Sequence, residues 1–168
     1  MSHSSASGQT ILRHLDVLRW ELAWVVEQFP ERYALWTPKA GAWSAHLTLA
    51  HLRDTEREGF SVRIRRVLEE DEPFLEDFPG GVWAARWQPS GPMTETLAEY
   101  LVASRETDAR LCGVADATWS RAGAHPSFGR LTLTGWLERM HFHLADHLSQ
   151  ILAIRAALRT HGLLTDGP

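Results

Sequence analysis

Cysteine is almost absent from this chain. Cys112 stands alone among 168 residues, which excludes an internal disulfide and a thiolate metal cluster and fits a reducing compartment. Long apolar runs are absent as well: charged residues interrupt every hydrophobic stretch well before the ~18 residues that a membrane span requires. The opening Met1 to Thr10 is polar and lacks an apolar core behind a basic start, so no secretory signal is expected and the expected location is cytoplasmic. Clustered basic charge is the third absence. Seventeen Lys and Arg stand against 21 Asp and Glu, for a net charge of -4, and Arg63, Arg65 and Arg66 form the only tight group. A nucleic-acid partner would call for a basic stripe to neutralise phosphates, and none is present.

What the chain does have is apolar periodicity. Its 44% hydrophobic content and its length suit one domain, expected over residues 1–168, that buries a core without staples. Ile11, Leu15, Leu18, Leu22, Val25 and Phe29 step by four and three along one helix face, and Pro30 lies just beyond. Ser44 can cap a second helix running to about Glu70, with Leu47, Ala50, Phe60, Ile64, Val67 and Leu68 on its apolar side. From Asp71 to Pro92 the pattern breaks, and four prolines and three glycines interrupt the aromatics Phe74, Phe78, Trp83 and Trp87. So long an irregular stretch is either a functional lid or a cap on one end of the domain. Thr94 and Glu95 open a third helix that ends near Gly113. After a second irregular segment, Asp116 to Arg130, a fourth helix begins near Thr132 or Thr134 and reaches His161, with Gly162 as its C-terminal cap. No strands are expected. The fold class is all-α, a four-helix bundle with a long irregular loop between helices 2 and 3, an architecture that builds sites from facing helices.

The chain also has nine histidines. On the last helix the inward face reads Met140, His143, Leu144, His147, Ile151 and Ile154. His143 and His147 lie four apart, which brings both rings to one side of the helix. With this many histidines such a spacing arises by chance roughly half the time, so the argument rests on position. Two imidazoles stand where the periodicity calls for leucine, and unpartnered burial would be costly, leaving a metal or hydrogen-bonded neighbours to satisfy them. His51, among inward positions of the second helix, supplies a third ring. Three such residues form a His₃ set that leaves coordination positions open for water or substrate. The other six histidines (His3, His14, His46, His125, His141 and His161) fall off these faces or in termini, loops and exposed turns, and are taken as non-ligands.

Trp43-Ser44, Ala50-His51-Leu52-x-Asp54-Thr55-Glu56, Gly129-x-Leu131-Thr132-Leu133 and His143-x-x-x-His147-Leu148-x-Gln150-Ile151 together resemble the DinB/YfiT superfamily over nearly the whole chain. The resemblance implies an up-down-down-up bundle, usually a homodimer, that holds nickel, zinc or a similar divalent transition ion with His51, His143 and His147. It also implies thiol S-transferase activity, with bacillithiol, mycothiol or glutathione as the thiol. One departure stands out: many members place Asp directly after the first histidine of the last pair, where this chain has Leu144, with Asp146 just before His147.

An ion held by three neutral imidazoles keeps its charge and lowers the pKa of a bound thiol or water. The leading expectation is therefore transfer of a low-molecular-weight, bacillithiol-like thiol to a small electrophile, as detoxification or a stress response. A hydrolase on the same site and a non-catalytic metal-binding bundle are the alternatives. Asp54 and Glu58, three and seven residues after His51, are catalytic candidates that can orient an imidazole or take a proton, or else pair with Arg53 and Arg57. Gln150 continues the His143–His147 face and can bond a metal-bound water or serve only as a helix contact. Trp83 and Trp87 are the pair from the irregular loop to examine for a ligand pocket.

Overall fold

The computed structural model describes residues 3–164, with side chains from Gly8 onward. The side chain of His3 and the start of the Met1 to Thr10 segment lie outside the described side chains. The elements are α1 (His3–Glu27), α2 (Ala45–Asp54), a π-helical turn (Thr55–Phe60), α3 (Ser61–Glu69), α4 (Gly80–Arg86), α5 (Met93–Leu111), β1 (Ala122–His125), β2 (Gly129–Thr132) and α6 (Leu133–Thr160), with short 3-10 turns at Glu31–Tyr33 and Asp116–Ser120. The chain runs on through α2, the π turn and α3, and with α1, α5 and α6 this rod makes the four-helix bundle.

The caps explain where the helices begin. The Ser44 hydroxyl accepts from the Leu47 amide at 3.2 Å and the Thr132 hydroxyl from the Gly135 amide at 3.1 Å, each satisfying a donor that a first turn leaves free. The first amide of α5 finds a partner elsewhere, donating from Met93 to both carboxylate oxygens of Glu31 at 3.2 Å. The Leu15, Leu22, Leu49, Ile64, Trp136, Leu137 and Ile151 side chains meet in one core.

Cross-contacts fix the direction of each helix. His14 lies 6.1 Å from His141 and Trp24 6.0 Å from Arg155, so α1 and α6 are parallel. His46 bonds Thr96 at 2.9 Å and Glu56 accepts from Thr107 at 2.6 Å, so the α2 rod and α5 are parallel too. This is the up-down-down-up order. Buried Arg19 pairs with Asp108 and ties α1 to α5. Beside it, Glu56 lies fully inside, and burial raises its carboxyl pKa.

Two expectations need correction. An antiparallel hairpin, β1 with β2, pairs Ala122 with Thr132 and His125 with Gly129 where no strand was expected. The Leu75 amide donates to Ala124 at 2.7 Å and the Ala124 amide to Pro73 at 2.9 Å, so the 73–75 segment lies alongside β1. A side chain at Gly123 would meet the Pro73 carbonyl at 2.9 Å, which explains the glycine. The second helix is also not uniform, because the π turn inserts an extra residue where the motif that follows His51 continues.

The 70–92 segment climbs the outside of the rod, and its contacts show the path. The Phe74 carbonyl accepts from Arg66 and the Glu76 carbonyl from Arg63, Trp83 reaches Asp54, and Trp87 meets the edge of His46. It is not structureless throughout, since α4 forms within it. No described helix is long and apolar enough to cross a membrane.

Candidate metal centre

Three imidazoles converge where α2 faces α6. His51, His143 and His147 each bring one ring nitrogen to within 4.8 Å of the others, and the Nε2 atoms of His51 and His143 are 3.1 Å apart. Two nitrogens bound to one tetrahedral zinc at 2.0–2.1 Å would sit about 3.3 Å apart. The set therefore fits a divalent transition ion with modest ring movement, and among the described residues no carboxylate or thiol joins it.

The electrostatics favour the ligating form. Burial, reinforced by the neighbouring His147, pushes His51 down to about 4. Burial and the two partner rings push His143 down to about 3. Burial likewise lowers His147, although its bond to Gln150 acts the other way. Neutral imidazoles with free lone pairs are what a metal needs.

Each ring is held in place. The His147 Nδ1–H donates to Gln150 Oε1 at 2.9 Å; an amide oxygen only accepts, so Nε2 carries the lone pair. Trp43 stacks on His147 at 8° between planes and presses its edge on His51 at 5.0 Å. Phe78 and Trp83, from the climbing segment, lie 5.8 and 5.5 Å from His51. Gly80 lets the segment approach closely, since a Cβ there would stand 3.3 Å from His51 Cε1. The segment covers the triad, as a lid would.

The carboxylate candidates lie elsewhere. Asp54 is clasped by Arg53 at 2.6 and 2.9 Å and accepts from Trp83 Nε1 at 3.0 Å, so it anchors α4. Glu58 is exposed and borders a separate cavity with Val62 and Arg66. Asp146 is exposed and makes no hydrogen bond to a described residue, and Gln150 supplies the partner for His147 instead. Two of the histidines taken as non-ligands are buried: His46, off the His51 face of α2, bonds Thr96, and His125, expected in a loop, lies on β1 and stacks on Phe128 at 4.6 Å beside Asp77. Neither belongs to the triad.

A cavity of about 170 Å³ opens beside the triad, bounded by His51, His143, Phe60, Phe78, Arg63 and Arg139, among others. The sequence held a signal for Arg139, one turn before His143 on the same helix face, but periodicity does not reveal which side of a helix borders a void. Arg63 was visible only as part of a basic group.

The DinB superfamily profile matches residues 14–151, and the chain belongs to that superfamily. It is similar in fold to YfiT from Bacillus subtilis, described as a probable metal-dependent hydrolase with an unusual four-helix bundle topology. That likeness has a TM-score of 0.78 at 19% identity and covers 92% of this chain and 87% of the other. A second similar structure is TT2238, a four-helix bundle protein, with a TM-score of 0.61 at 21% identity over 87% of this chain and 98% of that one. No curated protein matches the sequence.

Proposed function

We propose that this protein is a metal-dependent transferase of a low-molecular-weight thiol, bacillithiol-like, to small electrophiles, serving detoxification or stress response. The observation that carries this reading is the all-imidazole donor set, held neutral and opening onto a partly apolar cavity. A divalent ion there, zinc or nickel by the donor type, would supply Lewis acidity that lowers the pKa of a thiol or water.

In a transfer, the thiol sulfur forms a carbon–sulfur bond with its own electron pair, the leaving group departs with its bonding pair, and the thiol proton goes to solvent. The chain's residues set the stage for this. Gln150 fixes the lone pair of His147, Trp43 locks two rings, and Phe78 and Trp83 screen His51 from water. Among the described residues no carboxylate joins the triad, which favours a thiol over water as the activated group. A thiol ionises near pH 8.5 and needs only a small shift, whereas water, at 15.7, needs a large one and gains from a dedicated base. Asp54, three residues after His51, is engaged by Arg53 and Trp83, and Asp77, on the wall of the cavity, by Ser127 and His125.

Hydrolysis on the same site is the second reading, favoured by the description of the similar Bacillus subtilis YfiT. The test loads the protein with zinc or nickel, desalts it, and follows conjugation of bacillithiol, mycothiol or glutathione to an electrophilic dye alongside ester and amide hydrolysis. About one retained equivalent of metal and turnover that requires thiol support the transferase. Thiol-independent turnover sinks it in favour of the hydrolase. Metal retention in His147→Ala equal to that of the unaltered protein removes the site altogether.

A further inference from the structure

Two arginines border the cavity beside the triad, and among the described residues neither has an acidic partner within ion-pair distance. Arg63 is buried. Its Nε and Nη2 both donate to the Glu76 carbonyl at 3.2 and 2.8 Å, its guanidinium lies 5.3 Å over Trp136, and Nη1 makes no hydrogen bond to a described residue. A carbonyl satisfies donors without cancelling charge, and Asp77 acts on this buried cation only from beyond ion-pair distance, so it lacks the contact partner that such groups ordinarily have. Arg139 is exposed and rests its guanidinium 4.2 Å over Phe128. The one acid on the same wall, Asp77, is committed to the hairpin: it accepts from Ser127 Oγ at 2.7 Å and faces His125 Nε2 at 3.2 Å. Phe60, Phe78 and Phe128 supply flat apolar surface to the same cavity, which the triad's His51 and His143 also line.

We infer that Arg63 and Arg139 form a carboxylate subsite, so that one of the two reactants is a small acid with an apolar or aromatic body. Guanidinium groups suit this role because their forked donors match the two oxygens of a carboxylate. The cavity's roughly 170 Å³ limits the bound part to a compact group. Which end of the ligand reacts rests on the reading of the triad as the reacting centre; the binding of the acid does not.

The test titrates zinc-loaded full-length protein with benzoate and with its neutral counterpart benzamide by calorimetry, and repeats both with Arg139→Gln and Arg139→Lys. Arg139 is exposed, so these variants leave the core alone. Benzoate should bind roughly tenfold more tightly than benzamide, as befits a charge-assisted bond. Arg139→Gln should abolish that preference without touching benzamide, and Arg139→Lys should restore part of it. A benzoate preference that survives Arg139→Gln, as ligation by the zinc alone would give, overturns the subsite, as does no preference at all. Matched electrophiles and matched thiols, each with and without a carboxylate, then locate its source. A fall in kcat/KM confined to the acidic electrophile or to the acidic thiol identifies which reactant carries the group. If the protein fails to hold zinc, the metal reading falls, while the same titration on protein as purified still decides the subsite.

Discussion

His143 belongs to the triad and borders the cavity beside it, so its replacement separates the site from the bundle. His143→Ala should strip the metal and abolish turnover while the helices remain, because four amphipathic elements bury the core independently of the ion. Loss of a partly buried ring should cost on the order of 1 to 3 kcal/mol, read from melting curves alongside circular dichroism. A variant that is folded, metal-loaded and active would refute this. The triad also predicts an acid response of the metal-free protein. His51 and His143 sit at about 4 and about 3 in the fold, below the ordinary 6.5. The folded state thus binds fewer protons than the unfolded one. Their stabilising contribution is complete above pH 6.5 and is lost as the pH falls from there toward 3. The melting temperature of chelator-treated protein should therefore drop between pH 7 and pH 5. A flat profile would mean that the rings are more open to water than the structure has them. The three histidines were legible in the sequence because polar rings interrupted an apolar period. The burial of His46 and His125 was not, since it depends on residues remote in sequence, Thr96 and Trp87 for one and Asp77 for the other.

At the scale of elements, the four bundle helices and their Ser44, Thr132 and Gly162 boundaries followed from period and cap chemistry. The π turn did not, because its flanks carry the same helical period and one inserted residue leaves no compositional mark. The hairpin escaped for a different reason. Ala122-Gly123-Ala124-His125 has no alternation of apolar and polar residues, and its pairing depends on the 73–75 segment some fifty positions earlier. Gly123→Val should therefore destabilise the protein by at least ~1 kcal/mol, since its side chain would collide with the Pro73 carbonyl and Leu75. Denaturant midpoints check this. The short helix α4 hangs on one side-chain bond, from Trp83 to Asp54. Trp83→Phe keeps a ring against His51 but drops that bond, so proteolytic cleavage within 79–88 should accelerate while the bundle's melting point moves little. Equal protection in both proteins would show that aromatic packing alone holds the lid.

The whole molecule leaves one face conspicuously bare. Val17, Trp20 and Trp24 recur at helical spacing on α1 and are 55%, 69% and 52% exposed, an apolar stripe of the kind that marks a protein–protein contact. We propose that this stripe is covered by a second copy of the chain. Light scattering should give twice 19.0 kDa, and Trp20→Gln with Trp24→Gln should halve it. A single-chain mass for the unaltered protein at micromolar concentration would exclude the dimer.

A polypeptide that travels the same way twice in succession has to make the return trip somewhere. Here the outbound rod spans 25 residues, Ala45 to Glu69, about 37 Å at 1.5 Å per residue, and α5 sets off again from the end where α2 began. Residues 70–92 are that return leg, and at about 3.3 Å per extended residue they carry roughly twice the length the trip requires. The cover over the triad is thus no ornament added to a finished bundle: winding order alone lays a strap along the groove, and its spare length leaves room to coil into α4. Trimming a handful of residues from it should be tolerated by the fold, whereas removing more than about half should force the last two helices into a different arrangement.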